Sequence, residues 1–121
     1  MKSNSFFDSL KNAFLGIRET AKRERNFRIQ IVVACLAVLV CIVFRVSTET
    51  FVLTAFAIFF VLGAELVNTA VEAIVDIITQ KRPHPLAKVA KDAAAGAVLL
   101  ASVFAVVVGI VVITDIVRRF M

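Results

Sequence analysis

The amino-acid sequence predicts an all-α integral membrane protein: three transmembrane helices preceded by an amphipathic helix at the membrane surface. Three observations predict it. First, 60% of the 121 residues are hydrophobic and only 19% are charged, where soluble domains carry about 45–50% and about 25%. Second, the apolar residues collect in three long runs joined by short polar turns. Third, lysine and arginine flank those runs instead of interrupting them. This composition rules out a disordered chain and argues against a soluble one. At 121 residues the chain is also too short for a Rossmann or protein-kinase domain with its own nucleotide cleft. Residues 1–121 are expected to form one membrane domain.

Each span follows from its own run. Ile31 to Phe44 is unbroken apolar sequence, bracketed by Arg28 and Arg45, which places the first span at 27–45. At ~1.5 Å per residue that length just crosses a ~30 Å hydrocarbon core. A cleavable signal peptide is the competing reading. It fails because a long charged segment precedes the run and two more runs follow it. The second span, 51–79, is interrupted only by Glu65, Asn68, Glu72 and Asp76 among residues 51–78, apart from scattered threonines. The third, 88–117, contains an uncharged stretch from Ala93 to Ile113. Helix is required in each, because an isolated strand in lipid leaves its backbone groups unpaired. Pro83 and Pro85 close the second span.

Residues 1–26 are more than a charged tail. Plotted at 100° per residue, Phe6, Phe7, Leu10, Ala13, Phe14, Ile17 and Ala21 fall within about a 120° arc. Asp8, Lys11, Asn12, Glu19, Lys22 and Arg23 lie outside it. Such a helix suits the membrane interface. If it ran on, Glu24 would land inside the apolar arc, and an inward acid there needs a partner.

The net charge is +5. No basic helix face or aromatic platform accompanies it, so nucleic acid is not an expected partner. Residues 1–28 and the loop before residue 91 carry the flanking lysines and arginines, and the 46–50 loop carries none. The N-terminus and second loop should therefore be cytoplasmic. Arg118 and Arg119 weakly oppose that orientation. Cys35 and Cys41 point to different faces of one helix and read as packing residues.

Chemistry concentrates in the second span. Glu65, Asn68, Glu72 and Asp76 follow at steps of 3, 4 and 4, so on a helix they occupy about 80° of one face. Intramembrane carboxylates are costly, and a one-sided row of them marks a functional site. The competing reading is an ion-paired stripe, against which no base lies among the acids. Glu72 and Asp76 fall at the interface by rise, with Glu65 slightly deeper. That depth suits a reaction between a water-soluble anion and a lipid headgroup. The third span opens with Lys88, Lys91 and Asp92, then the small residues Ala93–Ala97, which permit close helix approach. Lys91 is a candidate phosphate ligand, whereas Lys88 reads equally as an interfacial snorkelling lysine. His84 lies in a loop, where a solvated side chain is the ordinary reading. There is no Walker or dinucleotide glycine pattern and no zinc spacing. A nucleoside triphosphate would have to be held through basic side chains and a metal. Two carboxylates such as Glu24 and Glu72 suit Mg2+, which takes one or two carboxylates plus phosphate oxygens.

The segments from Glu24 to Arg28, from Glu65 to Asp76 and from Ala90 to Val98, together with three spans and an amphipathic start, resemble the bacterial integral-membrane diacylglycerol kinase family. The resemblance covers about residues 5–113. It implies a small homotrimer in the bacterial cytoplasmic membrane that transfers the γ-phosphoryl of ATP to a lipid hydroxyl. It further implies Glu65 as general base, Glu24 and Glu72 as the Mg2+ ligands, and Asn68 and Asp76 as supporting polar residues. Lys91 and Asp92 match positions on the nucleotide side, and Asn12 and His84 align with nucleotide-contacting positions. Asn12 stands where enterobacterial members carry an aromatic residue, and Ser5 where they carry an arginine. The stretch Lys81 to Gly96 looks more like the Gram-positive branch, which is similar to undecaprenol kinases. Undecaprenol is thus the expected lipid, diacylglycerol the alternative, and a non-enzymatic transporter or scaffold the rival class.

Overall fold

The computed structural model describes residues 5–121. The first four residues of the expected 1–26 surface segment lie outside the described residues. Four helices follow in order: α1 Phe6–Arg23, α2 Arg25–Val43, α3 Thr48–Thr79 and α4 Pro85–Phe120. The described residues are helical with no strand, and α2, α3 and α4 are each long and apolar enough to cross a membrane. This is the all-α membrane architecture that the composition predicts.

Each boundary has a local cause. Ser5 caps α1, its hydroxyl accepting from the Asp8 amide at 3.2 Å, and Asp8 complements the dipole of the first turn. The α2–α3 turn is a Schellman motif. The Val46 amide donates to Cys41 O at 3.2 Å and the Arg45 amide to Ile42 O at 3.3 Å, with Arg45 left-handed at φ 51°. Ser47 then caps α3 by accepting from the Thr50 amide. At the other end Gln80 and Lys81 are both left-handed, and His84 caps α4. Its Nδ1 accepts from the Leu86 amide at 3.1 Å, and Pro85 occupies the first helical position, where its missing N–H costs nothing.

At 32 and 36 residues, α3 and α4 run about 48 and 54 Å, well beyond a ~30 Å hydrocarbon core. They form a long antiparallel pair. Helix α2 packs on α3, and α1 touches both α2 and α3. The apolar core is small: Phe27, Cys41, Ala57, Ala101 and Val108 are its buried members among the described residues. Small side chains such as Ala57 and Ala101 let helices approach where no water-driven hydrophobic force acts between them. Most large apolar side chains face outward, as lipid permits, and Phe6, Phe7 and Phe14 of α1 are among them.

One tie closes the α2–α3 turn onto the far end of α4. Asp115 accepts from the Ser47 amide at 2.8 Å and pairs with Arg119 at 3.4 Å. Near lipid, a backbone N–H without a partner is costly. Asp115→Ala is expected to lower the thermal midpoint in detergent, followed by circular dichroism, while Asp115→Asn, which keeps an acceptor oxygen, retains most of it. Equal midpoints for the two variants would show that this tie carries no stability.

Candidate active site

The acid row lies along α3 in the register its spacing predicts. Glu65 is buried at 5% exposure, three residues beyond Leu62, which lines a cleft described below. A buried carboxylate must be hydrogen-bonded, and here Asn68 meets that need. Its Nδ2 donates to Glu65 Oε2 at 3.3 Å and to Glu72 Oε1 at 3.0 Å. Both amide hydrogens are consumed, so one side chain links two carboxylates a helical turn either side of it. Asn68 Oδ1 is left buried without a partner.

One turn further on, Asp76 accepts from Lys91 of α4 at 2.6 Å. This pair ties the acid row to the third span. Lys88 pairs instead with Asp92 at 2.6 Å, along its own helix and largely exposed. Lys91 and Asp92 are therefore not each other's partners, because adjacent helical residues point about 100° apart. Asp76, Thr79, His84, Lys88, Lys91 and Asp92 line an open cleft of about 490 Å³ between the end of α3 and the start of α4. Lys81 and Arg82 border it too; the sequence marks them as cytoplasmic flanking charge, not as site residues.

The remaining predicted residues stand apart. Glu24 occupies the junction between α1 and α2, with φ −108° and ψ 110°, and is half-buried. Asn12 is exposed on α1. No hydrogen bond or ion pair joins either side chain to the α3 row among the described residues. Likewise no group of three metal-binding side chains is assembled among the described residues.

A second cleft, also about 490 Å³, opens between α2, α3 and α4. Val33, Ala37, Ala57, Leu62, Ala105 and Val108 give it an apolar wall. Gln30 also lines it, with its Oε1 buried and unpaired. Gln30 is the lone amide inside the 27–45 span, just ahead of its unbroken apolar run, a signal that sequence reading passed over. The acid row, buried at Glu65 and half-exposed by Asp76, thus has an apolar cleft near one end and a basic one at the other.

The chain matches the family of prokaryotic diacylglycerol kinases over residues 11–113. It belongs to that family. It is 45% identical over 113 residues to the undecaprenol kinase of Bacillus subtilis, covering 90% of this chain and 88% of that protein. It is 37% identical to a diacylglycerol kinase of Synechocystis, covering 84% of this chain and 58% of that protein. The Escherichia coli diacylglycerol kinase is 36% identical, over 76% of this chain and 75% of its own length. This protein is accordingly a multi-pass membrane lipid kinase.

In this kinase the Asn68 link can be tested by removing it. Hydrogen bonds to charged groups are worth about 1.5–3 kcal/mol. Asn68→Ala, which frees both carboxylates, is expected to lower lipid-dependent turnover by about ten- to a hundredfold on that basis. Initial rates in mixed micelles check this, and a rate within twofold of the parent would show that the link does not organise the site.

Proposed function

We propose that this kinase transfers the γ-phosphoryl of ATP to the hydroxyl of undecaprenol, with Glu65 as general base. The observation that carries the reading is the Asn68 amide shared by the buried Glu65 and by Glu72. It couples a carboxylate beside an apolar cleft to one nearer a basic cleft. A lipid tail in the first cleft would present its hydroxyl toward Glu65, and phosphates in the second would meet Lys91, Lys88 and the loop residues Lys81, Arg82 and His84. Undecaprenol is favoured by the name and 45% identity of the Bacillus relative, and by the apolar cleft, which a long isoprenoid chain requires. Diacylglycerol remains the second reading, on the names of the other two relatives.

The donor set fits Mg2+. Glu24, Glu72 and the unpaired Asn68 Oδ1 would offer it hard oxygen donors, with no sulfur or imidazole among them. When bound, the ion would neutralise the phosphate oxygens. The chain's own residues do the rest. Lys91, released in part from Asp76, adds positive charge toward the transferred group. Asn68 holds Glu65 oriented, and Glu65 takes the proton from the lipid hydroxyl as the lipid oxygen attacks the γ-phosphorus. The bond from that phosphorus to the β–γ bridging oxygen breaks, and ADP leaves with the bridging oxygen. Phosphoryl transfer asks for little beyond positioning and charge stabilisation. Asn12 and Asp92 join on the nucleotide side.

The same reading makes the membrane the bacterial cytoplasmic one, with the N-terminus and the α3–α4 loop in the cytosol, following the lysine and arginine distribution. It also takes the protein as a homo-oligomer, a trimer on the family resemblance.

A general base contributes about 10²–10⁴-fold. Glu65→Gln is expected to lose turnover by that factor and to keep ATP affinity, measured by nucleotide binding to the solubilised protein. A near-normal rate removes Glu65 from the role. Glu24→Ala and Glu72→Ala are expected to raise the Mg2+ concentration for half-maximal rate, and unchanged titrations count against them. Phosphate transfer to undecaprenol and to diacylglycerol, compared side by side, decides the lipid. Faster transfer to diacylglycerol would replace the first reading by the second.

A further inference from the structure

The break between α1 and α2 has no ordinary cause. Ala21, Lys22, Arg23, Glu24 and Arg25 contain neither glycine nor proline, and most of them are good helix formers. Left to local preference the chain would continue through Glu24 as one helix. The backbone instead leaves the helical region at Glu24 and re-enters it at Arg25.

Breaking a helix orphans carbonyl groups. In a continuous helix Ala21 O and Lys22 O would accept from the amides of residues 25 and 26. Here one side chain replaces both donors. Arg28 Nη1 donates to Ala21 O at 2.8 Å and to Lys22 O at 3.0 Å. The Thr20 hydroxyl bonds back to Gly16 O at 2.9 Å, a pattern that bends helices, while the Glu24 amide still donates to Thr20 O at 2.8 Å. Phe27, 1% exposed, pins the first turn of α2.

The break decides where Glu24 stands. With 19 residues, α2 rises about 28 Å, which sets the junction roughly level with Asn68 of the antiparallel α3. Unbroken, the helix would carry Glu24 round into the apolar arc of α1. As it is, the Glu24 carboxylate makes no hydrogen bond or ion pair among the described residues and is open to a ligand. We propose that Arg28 is a positioning residue: its guanidinium substitutes for the two lost amides, holds the α1–α2 junction open, and so presents Glu24 to the metal–phosphate site. This rests on the reading of Glu24 as a metal ligand.

The test uses the full chain in lipid bilayers, with Arg28→Gln, Arg28→Lys, Glu24→Gln and the Glu24→Gln/Arg28→Gln double variant. Two quantities are read: backbone hydrogen exchange across residues 20–27, and the Mg2+ concentration for half-maximal turnover. Arg28→Gln is expected to alter exchange across the junction and to raise the Mg2+ requirement by about tenfold, with the KM for lipid unchanged. Arg28→Lys, which keeps a cationic donor, recovers most of both. The double variant needs no more Mg2+ than Glu24→Gln alone, since the two act through one group. Unchanged exchange in Arg28→Gln overturns the proposal. So does a full-sized effect of Arg28→Gln in the Glu24→Gln background, which would mean that Arg28 meets phosphate directly. A Mg2+ response unmoved by Glu24→Gln overturns the metal assignment of Glu24, and the exchange readout still decides whether Arg28 holds the junction.

Discussion

A carboxylate inside a lipid-facing helix bundle is expensive unless its oxygens are hydrogen-bonded. In this kinase that constraint falls on Glu65, and the Asn68 amide answers it. The same amide reaches Glu72, so the side chain that makes burial tolerable also sets the spacing of two acids. Next along the helix, Asp76 is matched by Lys91 from the neighbouring span. The acids thus progress from buried and amide-bonded to half-exposed and ion-paired. That gradient follows the fall in desolvation cost from hydrocarbon to water.

The rest of the architecture serves this row. Three spans leave little to bury, and the apolar core is correspondingly sparse. Helices α3 and α4 pack along most of their length, whereas α2 meets chiefly α3, which leaves the apolar cleft between them. Such a gap would be filled by side chains in a soluble domain of this size. In a membrane the lipid competes equally well for apolar surface, so packing alone exerts no strong pressure to close it.

Much of the site was legible in the sequence because helical periodicity and membrane cost act together. Steps of 3, 4 and 4 between polar residues in an apolar run admit one arrangement, a single face, and the structure has it. The Lys91–Asp92 neighbourhood was legible as a charged entrance but not as a set of pairs. Partner choice depended on α3 lying against α4, which put Asp76 within reach of Lys91 and left Asp92 to Lys88. Gln30 was visible as a polar residue at the edge of the first apolar run, yet only the packing of three helices showed its oxygen to be buried. The α1–α2 break was illegible, since the residues there favour helix and the side chain that meets the freed carbonyls lies one turn into α2.

By itself, then, the sequence determined the membrane class, the three spans, the amphipathic first helix and the one-sided acid row. All four are properties of single helices, set by hydropathy and the 3.6-residue period. Tertiary structure alone decided which charges pair, where the two clefts open, and how the chain turns at Glu24. Those depend on contacts between helices and on a guanidinium capping another helix's carbonyls, and no periodicity within one segment records them.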